Sequence, residues 1–322
     1  MSGTGTSGTA GAAGSGGLAR FAWSPPESFL SLSRGTAVPL AQAPIVILPV
    51  PYEATPSSSS GTRFGPHALL HASRLVELYD HEADAEPYTV GVHTLPELQL
   101  PAGSPEAALG ELGECVEALL AQQKFVIILG GEHSIAAPAI LAHAGRLGNR
   151  SLSVLQLDAH ADLHPEYEGT PYSHACTMYR VHEQVHLVPV GVRALSREEH
   201  ELLHARHIQP IYGHDLTDKS WIDRAVGALG PDVYVTVDVD YFDPAIMPAT
   251  GTPEPGGGTW HATIQLLERV FRERHVVGCD VVELAPIPGL VHPDVLAANL
   301  VYKLIGFHAA AREHHTEPQS LG

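Results

Sequence analysis

Six short apolar runs, at 45–48, 125–129, 152–157, 186–190, 233–237 and 276–282, punctuate this chain of 322 residues. Between them lie amphipathic, helix-like stretches at 66–80, 105–122, 135–147, 263–274 and 293–308. A strand that is apolar along its whole length has both faces buried. Strands of that kind joined by helical crossovers predict a parallel sheet covered on both sides. The expected fold is three-layer α/β/α with a mainly parallel central sheet.

No composition shift marks an internal linker and no segment repeats, so 20–313 reads as a single domain. The first nineteen residues, MSGTGTSGTAGAAGSGGLA, have the composition of a disordered tail, 1–19. Residues 314–322 are expected to form a flexible C-terminal tail, with His314 and His315 on the surface.

Ligands of such sheets bind at the carboxyl ends of the strands. Polar residues with chemistry are therefore expected directly after the apolar runs, and three runs meet this expectation. The run 125–129 is followed by GGEHS, 152–157 by DAHAD, and 233–237 by DVDYFDP. Residues two apart on an extended chain point to the same side. Asp158, His160 and Asp162, and likewise Asp238 and Asp240, can each face one point above the sheet edge. With His133 they make two imidazoles and four carboxylates.

Crowded carboxylates repel and raise one another's pKa unless cations sit among them. Two divalent ions would neutralise four such charges, and paired metals lie roughly 3.5–4 Å apart on shared carboxylates. An oxygen-rich set with a minority of imidazole suits Mn²⁺ better than a thiolate-selecting metal. A lone DxD is as readily a helix cap or a solvated turn, and a Gly-Gly after a strand is usually a tight turn. Their joint occurrence at three strand ends favours a binuclear metal site. GTPEPGGGTW, at 251–260, lacks the ending of a phosphate loop and reads as a plain loop.

Composition narrows the partners. A formal charge of −18 argues against nucleic acid, whose phosphates require basic patches, and is compatible with a cationic ligand. No apolar run approaches bilayer length and no signal-peptide pattern opens the chain, so a cytoplasmic protein with no membrane partner is expected. Three widely spaced cysteines suggest neither a disulfide framework nor a zinc ribbon.

GGEHS, DAHAD and DVDYFDP, in this order, resemble the ureohydrolase family of arginases and agmatinases, most of all its bacterial agmatinases. The resemblance runs from about residue 44 to 308, supported by GTRFGPHALLHAS, YSHACTM, ATGTPEPGG and DVVELAP. It implies an arginase-like fold and a hydrolase that cleaves a guanidino group to urea and an amine. It places His133, Asp158, Asp162 and Asp238 on one Mn²⁺, and Asp158, His160, Asp238 and Asp240 on the second. Nickel or another divalent metal stays open. Glu283 matches the acidic residue that pairs with the guanidinium, and His174 a histidine that carries a proton to the leaving amine. Asp243 reads as a supporting or turn residue, and Glu132 stands where many relatives have Asp. The resemblance also implies a homo-oligomer, a trimer or a hexamer.

The substrate's tail is read from the loop after DAHAD. LHPEYEGTPYSH lacks the Asn and Ser groups with which arginases hold an α-amino acid. Glu166 and Glu168 would repel a carboxylate tail and accept an amine, or would form a solvated turn. The favoured substrate is agmatine or N1-aminopropylagmatine, giving putrescine or spermidine. The alternatives are an arginase or other guanidino hydrolase, a related deacetylase or phosphoesterase, and a non-catalytic homologue.

Overall fold

The structure, a computed structural model, describes residues 27–32, 38–218 and 220–316, with side chains as far as Arg312. The expected tail at 1–19, the side chains of His314 and His315, and residues 317–322 lie outside that range.

In chain order the elements are β1 (Ile45–Val50), α1 (Gly65–Ala72), β2 (Val92–Thr94), α2 (Pro105–Ala121) and β3 (Phe125–Gly130). Then come α3 (Ala136–Leu147), β4 (Leu152–Leu157), β5 (His186–Val192), α4 (Arg197–Ala205) and β6 (Ile211–Tyr212). The chain continues with α5 (Trp221–Ala228), β7 (Asp232–Asp238), α6 (Trp260–Glu273), β8 (His275–Val282) and α7 (His292–Thr316). All strands join one sheet, ordered β2-β1-β3-β8-β7-β4-β5-β6, and every pairing is parallel.

The six expected strands all form, and β2 and β6, which the apolar pattern does not reveal, are the two short edges. Short edges are one way a sheet avoids pairing with other chains. Period-two alternation divides the apolar strand residues between two cores. Ile45, Ile47, Ile127, Leu155 and Val235 pack on the side of α1, α5, α6 and α7. Val46, Leu48, Val126, Ile128 and Val154 pack on the side of α2 and α3. This gives the three layers expected.

Local signals set the helix ends. Pro105 at the first position and Ser104, whose Oγ accepts the Ala107 N–H at 3.1 Å, start α2. The helix expected over 66–80 stops at Ala72 instead. There Ser73 donates its hydroxyl to the Leu70 carbonyl at 2.6 Å and accepts the Leu30 N–H at 2.8 Å, turning the chain into a short 3-10 turn. Helix α7 runs on to Thr316, three residues beyond the boundary expected at 313. Among the described residues no helix is long and apolar enough to cross a membrane.

Candidate metal centre

The four central strands, β3-β8-β7-β4, carry the polar residues at their carboxyl ends. His133 follows β3, Glu283 follows β8, Asp238 and Asp240 end and follow β7, and Asp158, His160 and Asp162 follow β4. Strands far apart in the chain thus bring the three sequence motifs to one point. Two glycines let the backbones approach: Gly130 packs against Val282, and a Cβ on Gly131 would lie 1.8 Å from the Tyr52 carbonyl oxygen.

All six expected ligands converge. His133 Nδ1 lies 3.0 Å from Asp162 Oδ2, 3.2 Å from Asp158 Oδ2 and 3.5 Å from Asp238 Oδ2. Nevertheless this buried nitrogen makes no hydrogen bond. His160 Nδ1 lies 2.9 Å from Asp240 Oδ2 and 3.7 Å from Asp158 Oδ1. Ligand-type atoms of His133, Asp158 and Asp162 form one group with the compactness of a metal site, and those of Asp158, His160 and Asp240 form a second. Asp158 belongs to both. A buried, unpartnered imidazole nitrogen aimed at several carboxylates fits a pair of divalent cations.

Without cations the cluster is electrostatically frustrated. Burial, reinforced by the Asp240 and Asp158 charges, holds the Asp238 carboxyl well above the usual carboxylate range. Burial and the Asp158 charge push Asp162 up to about 7. Although burial favours the neutral ring, Asp158 and Asp240 push His160 up to about 12. Strain accompanies the charge: Asp162 and Glu283 take left-handed backbone conformations, with φ of 53° and 63°. Such a residue costs on the order of 1–3 kcal/mol and persists where the surroundings impose it.

Backbone and side-chain bonds aim the expected ligands. The His160 N–H donates to Asp158 Oδ1 at 2.6 Å, the Ala159 N–H to Asp240 Oδ1 at 3.0 Å, and the Asp240 N–H to Asp238 Oδ1 at 2.9 Å. Gln156 Nε2 donates to Asp158 Oδ2 at 2.9 Å. Arg193 donates to the Asp240 carbonyl at 2.7 Å and the Glu254 carbonyl at 2.8 Å, pinning the segment after β7. Asp243 is a turn residue: its carboxylate accepts the N–H groups of Ala245 and Gly256, each at 2.9 Å.

A cleft of about 250 Å³ opens over the cluster. Glu283 and His174 stand at its metal end, with His174 Nδ1 3.8 Å from Glu283 Oε1. Glu283 Oε1 also accepts the His133 N–H at 2.6 Å. Burial, with the Glu132 and Asp240 charges adding to it, pushes the Glu283 carboxyl well above the usual range. Burial lowers the His174 pKa and favours its neutral ring.

Glu132 does more than its place beside a ligand suggests. Its Oε2 accepts the N–H groups of Ala54 and Thr55 at 2.6 and 2.7 Å, and its Oε1 accepts the hydroxyls of Thr55 and Ser134 at 2.9 and 2.6 Å. Thr55 Oγ1 in turn accepts the His174 N–H at 3.2 Å, and Ser57 Oγ lies 3.1 Å from His174 Nε2. Glu132 therefore fixes the serine-rich loop that holds His174.

The proposed tail-recognition glutamates are placed elsewhere. Glu166 and Glu168 are exposed and do not line the cleft, whereas Tyr167 between them does. A further carboxylate lining the cleft is the buried Glu199, which the sequence reading did not single out. Ser196 and Glu199 form a capping box at the start of α4. Glu199 also accepts the Leu163 N–H at 2.9 Å, and His164 Nε2 lies 3.3 Å from its Oε2. Ser-x-x-Glu before the amphipathic Arg197–Ala205 stretch was the readable signal.

Residues 43–306 match the model of the Arginase family. The chain belongs to the arginase family. Among relatives of this arginase-family chain is a protein of Thermus thermophilus named N(1)-aminopropylagmatine ureohydrolase, 42% identical over 270 residues, covering 83% of this chain and 91% of that one. A protein of the same name in Synechocystis is 36% identical over 292 residues, covering 88% and 94%. The solved agmatine ureohydrolase of Thermoplasma volcanium superposes with a TM-score of 0.81 at 27% identity, covering 92% of this chain and 98% of that one. The expectation of a ureohydrolase on an arginase-like α/β fold is thereby borne out.

Proposed function

We propose that this chain hydrolyses a guanidino compound with an amine-bearing, cationic tail to urea and an amine, using two Mn²⁺. N1-aminopropylagmatine and agmatine are the substrates favoured, and relatives at 36% and 42% identity bear the name of the former. The observation that carries the reading is the charge of the cleft. Glu283 and Glu199 both line it, and among the described residues no lysine or arginine does. An arginine-type carboxylate tail would find no permanent cation there, while an amine tail meets acceptors.

His133, Asp158, Asp162 and Asp238 would hold one ion, and Asp158, His160, Asp238 and Asp240 the other. When bound, the ions supply Lewis-acid charge and a water of lowered pKa. Glu283 pairs with the planar guanidinium through charge-assisted hydrogen bonds and so orients its central carbon. His174 Nδ1 faces Glu283, while Ser57 holds the ring through Nε2. As the C–N bond breaks, His174 Nδ1 gives the departing amine nitrogen the proton it took up earlier from the attacking water.

The test is urea release by Mn²⁺-loaded protein from N1-aminopropylagmatine, agmatine and arginine. The amine-tailed substrates are expected to exceed arginine in kcat/KM by about tenfold or more, the loss expected where a buried charge is left unpaired. Preference for arginine, or no urea from any of the three with both ions bound, would overturn the proposal.

A further inference from the structure

Helix α4 carries His200 and His204, four residues apart and hence on one helix face. Both are exposed, and their Nε2 atoms point at one another across 3.2 Å, with ring planes at 81°. Two N–H groups cannot face each other at that distance, so at least one nitrogen offers a lone pair. A tetrahedral ion with metal–nitrogen bonds of about 2.0–2.1 Å holds two such atoms about 3.3 Å apart. The observed separation matches. Tyr212 Oη lies 3.5 Å from His200 Nδ1, on the far side of the ring, and can steady that ring with Nε2 turned outward. The hollow beside α4 is lined by His200, His204, His207 and Tyr212 among others, and among the described residues no carboxylate lines it.

We propose that His200 and His204 form a surface site for a zinc-type transition metal, separate from the acidic cluster, with water completing the coordination. Imidazole donors without carboxylate favour Zn²⁺ over Mn²⁺, the reverse of the oxygen-rich centre at the strand ends. The chain would then sort two metals by donor chemistry. An ion spanning residues 200 and 204 also braces α4. Glu199 on that helix holds the Leu163 N–H, one residue beyond the expected ligand Asp162.

The experiment adds Zn²⁺ to full-length, Mn²⁺-loaded protein, removes free metal, and counts both metals by elemental analysis. The expected result is one Zn²⁺ per chain in excess of any Mn²⁺ lost. His200→Gln and His204→Gln are each expected to abolish that excess, while Mn²⁺ content, circular dichroism and urea release without zinc stay unchanged. Zinc uptake that only replaces Mn²⁺, or an excess that persists in either variant, would overturn the assignment.

Discussion

Thr236 donates its hydroxyl to Asp280 Oδ1 at 2.6 Å, and the two residues are register partners on β7 and β8. A threonine has one hydroxyl proton, so towards His133 Nε2, 2.8 Å away, Thr236 Oγ1 is an acceptor. This fixes a proton on His133 Nε2 and leaves Nδ1 as the atom that can face a metal ion among the carboxylates. Tyr234 fastens the other end of the relay, donating to Asp280 Oδ2 at 2.9 Å.

Thr236→Val removes the acceptor and leaves a buried imidazole N–H unpaired. Partners of this kind typically carry about 10–100-fold in metal affinity. Calorimetric Mn²⁺ titration is expected to show one ion weakened by that factor and the His160 side nearly unchanged. Thr236→Ser, which restores the hydroxyl, is expected to recover the lost affinity. Equal weakening of both ions, or no weakening, would count against the relay.

Metal binding should expel protons. In the metal-free chain, burial and neighbouring charge hold Asp238 and Asp162 above the ordinary carboxylate range, and Asp158 and Asp240 keep His160 protonated. Cations favour the deprotonated ligands, so Mn²⁺ affinity falls as pH falls. Titrations near pH 7 in buffers of different ionisation enthalpy are expected to report net proton release. A heat independent of the buffer would rule this out.

What the sequence revealed depended on whether a signal was local. The six interior strands were legible because burial on both faces forces an apolar run, and the six candidate ligands because polar residues end those runs abruptly. The edges β2 and β6, three and two residues long, carry too little pattern to read. Helix α4, REEHELLHA, is mostly polar, and only Glu199 and Leu203 are buried. The loop-holding role of Glu132 was not legible because its partners, residues 54 and 55, arrive from 78 and 77 positions away. Glu166 and Glu168 misled because sequence cannot tell which residues of a loop turn inward, and Tyr167 does so instead. Asp280 could have been found, since a lone carboxylate within VVGCDVV must be paired by a neighbouring strand.

Glu132→Ala would remove four hydrogen bonds at once and release the loop that carries Thr55 and Ser57. Displacing His174 by about 1 Å is enough to cost on the order of 10²-fold. The expected outcome is a kcat reduced by about that factor, with Mn²⁺ stoichiometry intact because Glu132 touches no metal-facing atom of the cluster. Loss of both ions with the activity would instead make Glu132 a support of the metal centre. Glu132→Asp, a shorter carboxylate, is expected to recover part of kcat.

His143 should leave a pH signature in stability away from the site. Its Nδ1 donates to the Ala139 carbonyl at 2.8 Å, its Nε2 makes no hydrogen bond, and the ring packs against Gly278. Burial pushes its pKa down to about 4. Above pH 6.5 the ring is neutral in both folded and unfolded chains, so it adds no pH dependence. Between pH 6.5 and 4 the unfolded chain takes up a proton that the folded one refuses, and stability falls with pH. At about 1.4 kcal/mol per unit, the loss by pH 4.5 is roughly 2–3 kcal/mol. His308, lowered to about 4 chiefly by burial, titrates in the same window but cancels when two chains differ only at residue 143. Denaturant unfolding of metal-free wild type and His143→Gln at pH 7 and 4.5 is expected to show a smaller acid loss in the variant by that amount. An equal loss in the two chains would mean that His143 is protonated within the fold.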